Sequence, residues 1–349
     1  MGFKRYLARR TLFTVALLLI IIVFNFFLFQ IIPFITTCPE GHTYQQCFTQ
    51  FYLPEQPPRS SNPNATIFWQ HLINQIKNDY GLNQPLYVRF GLYFVNMFTF
   101  NFGYNINSGS AGASGPVLQT IQVKTPFTLL LLGLSTIASF IIGIGLGVIA
   151  AAKRGKVVDV GLLAALLFIN SLPVFFLAAV LQLGQVQLTG NFYQPFGAST
   201  FLKQGLAYYA GLFSAMFLPF LALTLIGIGG VFLTQRAVMI DAVAEDYILM
   251  ARAKGLPERT VLFKHAFRNA VLPIFTAFAI SLGFILSGAV ITETVFGWPG
   301  LGLQLFLAVN ARDYPLEQAL FLLISIMVLI ATFSADIIYG FLDPRVSTG

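Results

Sequence analysis

The side chains able to do covalent or acid–base chemistry are few in this chain of 349 residues: three histidines, two cysteines and 13 Asp+Glu. His42, His71 and His265 are scattered along the sequence, and no Cys/His cluster has the spacing of a zinc site. Gly155-Lys156 is followed by Val157 and lacks a glycine-rich lead-in. The chain therefore has no phosphate-binding loop, and neither ATP nor Mg is expected to bind it. Neither a G-x-S-x-G elbow nor an H-E-x-x-H helix occurs. No catalytic, cofactor or metal site is expected. What remains is one polar, helix-patterned stretch, Gln235–Asn269, and isolated polar residues in otherwise apolar runs.

Those runs set the architecture. The chain is 56% hydrophobic and 9% charged, with a mean hydropathy of +0.77. A soluble domain carries about 25% charged residues, so a water-soluble fold is excluded. A bilayer-spanning helix needs about 20 apolar residues. Six stretches qualify: Thr11–Phe34, Pro126–Ala152, Gly161–Leu183, Leu212–Thr234, Ala270–Ile291 and Leu316–Tyr339. The expected fold is an all-α integral membrane protein with six transmembrane helices. Its parts are a tail and first span (1–34), an external segment (35–125) and a core (126–345) that includes the loop 235–269. The first apolar run follows Lys4, Arg5, Arg9 and Arg10, but it is too long for a signal peptide and has no cleavage site after it.

With the N-terminus inside and six crossings, 14 of the 20 Lys+Arg fall inside and six outside, which satisfies the positive-inside rule. Both termini and the 235–269 loop are then cytoplasmic, in a multi-pass protein of the plasma or inner membrane. The net charge of +7 is accounted for by this bias and needs no nucleic acid. Leu86–Phe102 carries only Arg89 and is interrupted by Asn96 and Asn101, so it reads as an amphipathic helix at the outer interface. Cys38 and Cys47 lie on the oxidising side and are expected to pair as a disulfide.

Proton- or ion-coupled carriers place ionisable groups within the membrane. The spans have essentially none, which argues against a stand-alone carrier. Glu293 and Asp336, near opposite span ends, are expected to pair at the interface. Uncharged polar residues, Asn170, Ser171, Gln182, Ser281 and Ser287, are the candidates to line a pathway. Gly143 and Gly147, and Gly227, Gly229 and Gly230, read as close helix-packing sites. Loop 235–269 divides at Gly255-Leu256-Pro257, because glycine closes a helix and proline suits the start of the next. It is expected to fold as helices Ala242–Lys254 and Glu258–Ala270. Tyr247, Ile248 and Met250 then form apolar anchors for a partner, with Arg252, Lys254 and Arg259 as charges beside them.

The loop sequence from Asp246 to Pro273 resembles the EAA loop of ABC importer permeases of the dipeptide/oligopeptide/nickel group. Four further stretches resemble the same group: Asp79–Pro85, Glu293–Gly302, Ala311–Pro315 and Leu342–Arg345. The resemblance implies a permease subunit that forms half of a translocation pathway for oligopeptides. It implies a second homologous permease, two ABC ATPase subunits that carry ATP and Mg, and an external solute-binding protein. It also places ATPase coupling in Asp246–Arg259: Asp246, Tyr247, Ile248, Met250, Ala251, Arg252, Lys254, Gly255 and Arg259. Oligosaccharides are the alternative solute. Two features depart from the pattern. Leu249 and Met250 stand where Glu-Ala is usual, with only Ala251 and Gly255 fitting. The region Ile35–Phe68, which carries the sequon Asn64-Ala65-Thr66, is longer than expected.

Overall fold

The computed structural model of the chain describes residues 3–31, 71, 73–78, 80–81, 84–105, 115–197, 205–271, 273–275, 277–278, 281 and 289–342. Cys38, Cys47, Ser287 and half of the fifth expected span lie outside them. The described residues are helical, apart from turns and an isolated bridge between Tyr104 and Pro116. Four helices among them are long and apolar enough to cross a membrane, and up to six spans result if each bent helix pair counts as one.

The first helix, α1 (Phe3–Phe26), runs on into a π-helical turn, Phe27–Ile31. Next come α2 (Leu86–Phe98) and the 36-residue α3 (Val117–Ala152). The third apolar run is not one straight span. It forms α4 (Val157–Ser171) and α5 (Val174–Thr189), bent by 104°. Pro173 is the cause: it lacks an amide hydrogen and forces the preceding residue out of helical space. Leu172 accordingly sits at φ −76°, ψ 132°. The 38-residue α6 (Leu206–Val243) is followed by α7 (Asp246–Ala253), α8 (Glu258–Thr260), a π-helical stretch Val261–Ala266, and α9 (Phe267–Ala270). The chain ends through α10 (Ala289–Phe296), α11 (Leu301–Ala311) and α12 (Tyr314–Leu342).

Two compact units are present: Met1–Arg10 with Phe127–Pro299 and Ile330–Gly349, and Thr11–Pro126 with Gly300–Leu329. In the first, α3 and α6 meet through glycines. A Cβ at Gly143 would lie 2.8 Å from Val231 Cβ, and one at Gly147 would lie 2.7 Å from Gln235 Cβ. The glycines thus remove the side chains that would hold the two backbones apart. Asp336 pairs with Arg10 at 3.1 Å, as expected. Glu293 is fully buried, and its Oε1 accepts the Thr128 hydroxyl at 2.8 Å. Trp298 donates its indole N–H to the Phe127 carbonyl at 3.0 Å, which fixes the turn after α10 to the same stretch of α3.

In the second unit, α2 is inverted relative to a soluble amphipathic helix. Arg89 and Asn96 are buried, while Tyr87, Val95 and Phe98 are exposed. Arg89 donates to Gln30 Oε1 at 2.6 Å, and Gln30 donates to Gln318 Oε1 at 3.3 Å. Tyr93 and Met97 share the buried face with Arg89 and Asn96, and an outer face of exposed apolar and aromatic side chains is the pattern that suits contact with lipid.

Candidate functional site

The polar loop after α6 is built on its own small core. Ile248 and Ala251 of α7 pack with Val148 of α3, Met239 and Ala242 of α6, and Val261 and Ala266 of the π-helical stretch. Ile248 is fully buried. This corrects the expectation that Ile248 anchors a partner: its side chain holds α7 onto the ends of α3 and α6. Ala251 acts in the same way. The opposite face presents Leu249 (58% exposed) and Met250 (62%), with Tyr247 (37%) beside them. Leu249 was not singled out from the sequence, because four consecutive large apolar or aromatic residues, 247–250, carry no period that selects a face.

After α7 the chain reverses at Gly255, whose φ of +74° is left-handed. Its amide donates to the Arg252 carbonyl at 2.9 Å. Pro257 caps α8 with φ −64°. Arg252 reaches across the reversal to Glu258, with Nη2–Oε1 at 2.7 Å and Nε–Oε2 at 3.3 Å. The hydrogen bond that Arg252 donates to Glu258 raises the Arg252 pKa further, outweighing desolvation. Arg252 and Glu258 thus engage each other across the turn, and Glu245, Asp246, Lys254 and Arg259 are further exposed charges of the same loop.

At the other end of this half of α6 lies a cavity of about 580 Å³. Its walls come from α3 (Leu132, Ser135, Thr136, Ser139, Phe140), from α6 (Leu223 to Thr234), and from Ile274, Ala277 and Ser281. Among the described residues, no ionisable side chain lines it. A second cavity, of about 670 Å³, is formed by α5, the loop through Phe192, Tyr193 and Pro195, and the end of α10. Tyr193 donates to the Ala215 carbonyl at 2.7 Å, and burial pushes its phenol pKa up, so it stays neutral. Between the first cavity and the loop, Arg236 of α6 forms a two-point ion pair with Asp159 of α4, at 2.6 and 2.8 Å. Asp159 also accepts the Gly155 amide at 2.9 Å. These two charges lie 77 positions apart in sequence, at span ends, and nothing in the sequence marks them as partners.

Comparison with known proteins decides what this arrangement belongs to. Residues 143–348 match the family described as the binding-protein-dependent transport system inner membrane component. The chain belongs to this family of transport permeases. It is 32% identical over 281 residues to the di/tripeptide transport system permease protein DppB of Pseudomonas aeruginosa, covering 76% of this chain and 82% of that one. It is 33% identical over 272 residues to the oligopeptide transport system permease protein AppB of Bacillus subtilis, covering 78% and 84%. It is 30% identical over 341 residues to a probable peptide ABC transporter permease of Sinorhizobium fredii, covering 98% of both chains. As a member of the family it is a multi-pass component of the inner membrane, and the α7 loop and the first cavity both fall within or beside the matched region.

The permease's expected pathway residues separate in space. Ser281 lines the first cavity and Gln182 the second. Ser171 is exposed and donates back to the Leu167 carbonyl at 2.8 Å. Asn170 lies against α6: a Cβ at Gly229 would meet Asn170 Cβ at 2.7 Å and the Leu166 carbonyl at 3.0 Å. The first cavity's other hydroxyls, Ser135 and Ser139, were legible as an i, i+4 pair on α3 but were not chosen. Gly229→Val in the permease is expected to force α4 away from α6, because the obstacle is partly backbone. Overpacking costs about 1–3 kcal/mol, so the midpoint of thermal unfolding in detergent should drop by several degrees. Gly230→Ala meets open space and should leave the midpoint in place. Equal midpoints for Gly229→Val and the unmodified chain would refute the packing assignment.

Proposed function

We propose that this permease is one of two homologous transmembrane subunits of an ABC importer, forming half of the pathway for oligopeptides and coupled to ATPase subunits through α7. The observation that carries this reading is the division of α7 into two faces. Ile248 and Ala251 fasten it to the ends of α3 and α6, while Leu249, Met250 and Tyr247 stand exposed on a short helix with charges at its rim. An apolar, centrally exposed patch within a polar rim is the composition of a docking surface. The peptide assignment follows the names of the relatives in Pseudomonas aeruginosa, Bacillus subtilis and Sinorhizobium fredii. The Lys/Arg bias puts both termini and the α7 loop in the cytoplasm, where ATP is available. An external binding protein would deliver solute to the opposite face.

The test is peptide uptake into vesicles holding the full complex. Uptake should require ATP, and vesicles holding the permease alone should show none. A cysteine at Met250 should cross-link to an ATPase subunit, and a cysteine at Glu258 should react with an impermeant thiol reagent only from the cytoplasmic side. External labelling at Glu258 would reverse the topology. ATP-driven uptake of oligosaccharides without uptake of peptides would reassign the solute and leave the coupling intact.

A further inference from the structure

The first cavity differs from an ordinary polar pocket in which half of each hydrogen bond it offers. Among the described residues, five hydroxyls line it: Ser135, Thr136, Ser139, Thr234 and Ser281. Each hydroxyl has one proton to give and two lone pairs to accept with. Four of the five protons are already committed to helix carbonyls. Ser135 donates to Leu132 at 3.1 Å, Thr234 to Gly230 at 3.0 Å and Ser281 to Phe278 at 2.8 Å. Ser139 lies 2.7 Å from the Ser135 carbonyl and 3.1 Å from the Thr224 carbonyl. The oxygens of these four residues can therefore only accept. Among the described residues that line the cavity, none carries an amide, indole, guanidinium, ammonium or imidazole group to supply a donor in their place. The nearest cation along α6, Arg236, is neutralised by its two-point pair with Asp159.

On the reading of the cavity as part of the solute pathway, we infer that it selects for hydrogen-bond donors: ammonium and amide N–H groups enter it more readily than carboxylates or other anions. A peptide's N-terminal ammonium would then be the favoured leading group, with its backbone N–H groups following. The inference concerns the walls of the permease itself and is independent of what a binding protein accepts.

Thiol reagents with one reactive group and different heads test it. The complex is prepared in detergent with Cys38→Ser and Cys47→Ser, free of other reactive cysteines, and carries Ile226→Cys on the cavity wall. Leu223→Cys serves as a second site in case the first variant fails to assemble. Rates of modification by aminoethyl, trimethylammonioethyl and sulfonatoethyl methanethiosulfonate are each divided by the rate with free 2-mercaptoethanol. The normalised aminoethyl rate should exceed the sulfonatoethyl rate by about tenfold, the lower end of what one hydrogen bond to a charged group contributes. The trimethylammonio reagent, which has charge but no N–H, should fall between them. Ser281→Ala should pull the aminoethyl preference toward one. Equal rates, or a faster sulfonate, would overturn the donor preference while leaving the pathway reading in place. A trimethylammonio rate equal to the aminoethyl rate would show selection by charge alone and overturn it as well. An unchanged ratio in Ser281→Ala would remove the hydroxyl assignment. If neither cysteine reacts with any reagent, the cavity is closed to solutes, and both the pathway reading and this inference fail.

Discussion

Asp159→Ala should separate ATP hydrolysis from transport in the assembled complex. Asp159 is buried at the first turn of α4, and its carboxylate takes two guanidinium N–H groups of Arg236 and the Gly155 amide. Arg236 lies on α6, which runs without a break from the cavity wall at Leu223–Thr234 to the start of the α7 loop. A displacement of α7 reaches the cavity along this rod, and the ion pair makes α4 follow it. Removing the carboxylate leaves a guanidinium without its charge partner and frees the α3–α4 turn. Hydrogen bonds to charged groups contribute about 1.5–3 kcal/mol each when buried, and Arg236 is partly solvated, so a loss near the lower figure is expected for the whole cluster. Asp159→Asn retains an acceptor for both partners and should fall between the two. The charge swap of Asp159→Arg with Arg236→Asp should recover part of the uptake, which a purely steric role would not allow. The measurement is the ratio of peptide transported to ATP hydrolysed. A fall of about tenfold in Asp159→Ala, at normal assembly, is the expected result by the conversion of 1.4 kcal/mol per decade. An unchanged ratio would confine the pair to stability.

How much of this was legible in the sequence depends on whether a local pattern or a distant contact decides the position. The first, second, fourth and sixth apolar runs match candidate spans, because each is longer than any soluble helix needs and carries almost no charge. The bend within the third was signalled by Pro173, but mean hydropathy is blind to direction, so a run interrupted by one proline still reads as continuous. The reversal at Gly255-Leu256-Pro257 was legible because both residues have fixed backbone preferences. The orientation of α7 was not. Ile248 points inward only because Val148, Met239 and Val261 arrive there from three other segments. The same holds for the pair Asp159 and Arg236, and for the donor-poor wall of the cavity. Serine and threonine types are visible in sequence, but the direction in which each hydroxyl spends its proton depends on the helix carbonyl beside it.

Gly255→Pro should abolish ATP-coupled uptake, and Gly255→Ala should not. Position 255 makes two demands that the two substitutions meet differently. Its φ of +74° is left-handed, and its amide closes α7 by donating to the Arg252 carbonyl at 2.9 Å. A Cβ placed there meets nothing within 4 Å, so alanine keeps the hydrogen bond and has only the left-handed penalty of roughly 1–2 kcal/mol to bear. Proline fixes φ near −65° and has no amide hydrogen, so it satisfies neither demand. The reversal between α7 and α8 must then reopen. The Arg252–Glu258 brace cannot hold it, since both side chains are solvent-exposed, and exposed pairs contribute about 0–1 kcal/mol. The spans themselves do not depend on the turn, so the permease should still insert and purify at normal yield. Peptide uptake should fall to the level without ATP in Gly255→Pro and by no more than a few fold in Gly255→Ala. Leu249→Ser and Met250→Ser in combination should reproduce the proline phenotype through lost docking rather than altered backbone, with ATPase subunits recovered in lower yield. Arg259→Ala should have a smaller effect, as rim charges contribute modestly. Normal uptake by Gly255→Pro with ATPase subunits bound would show that α7 is not the element through which ATP acts.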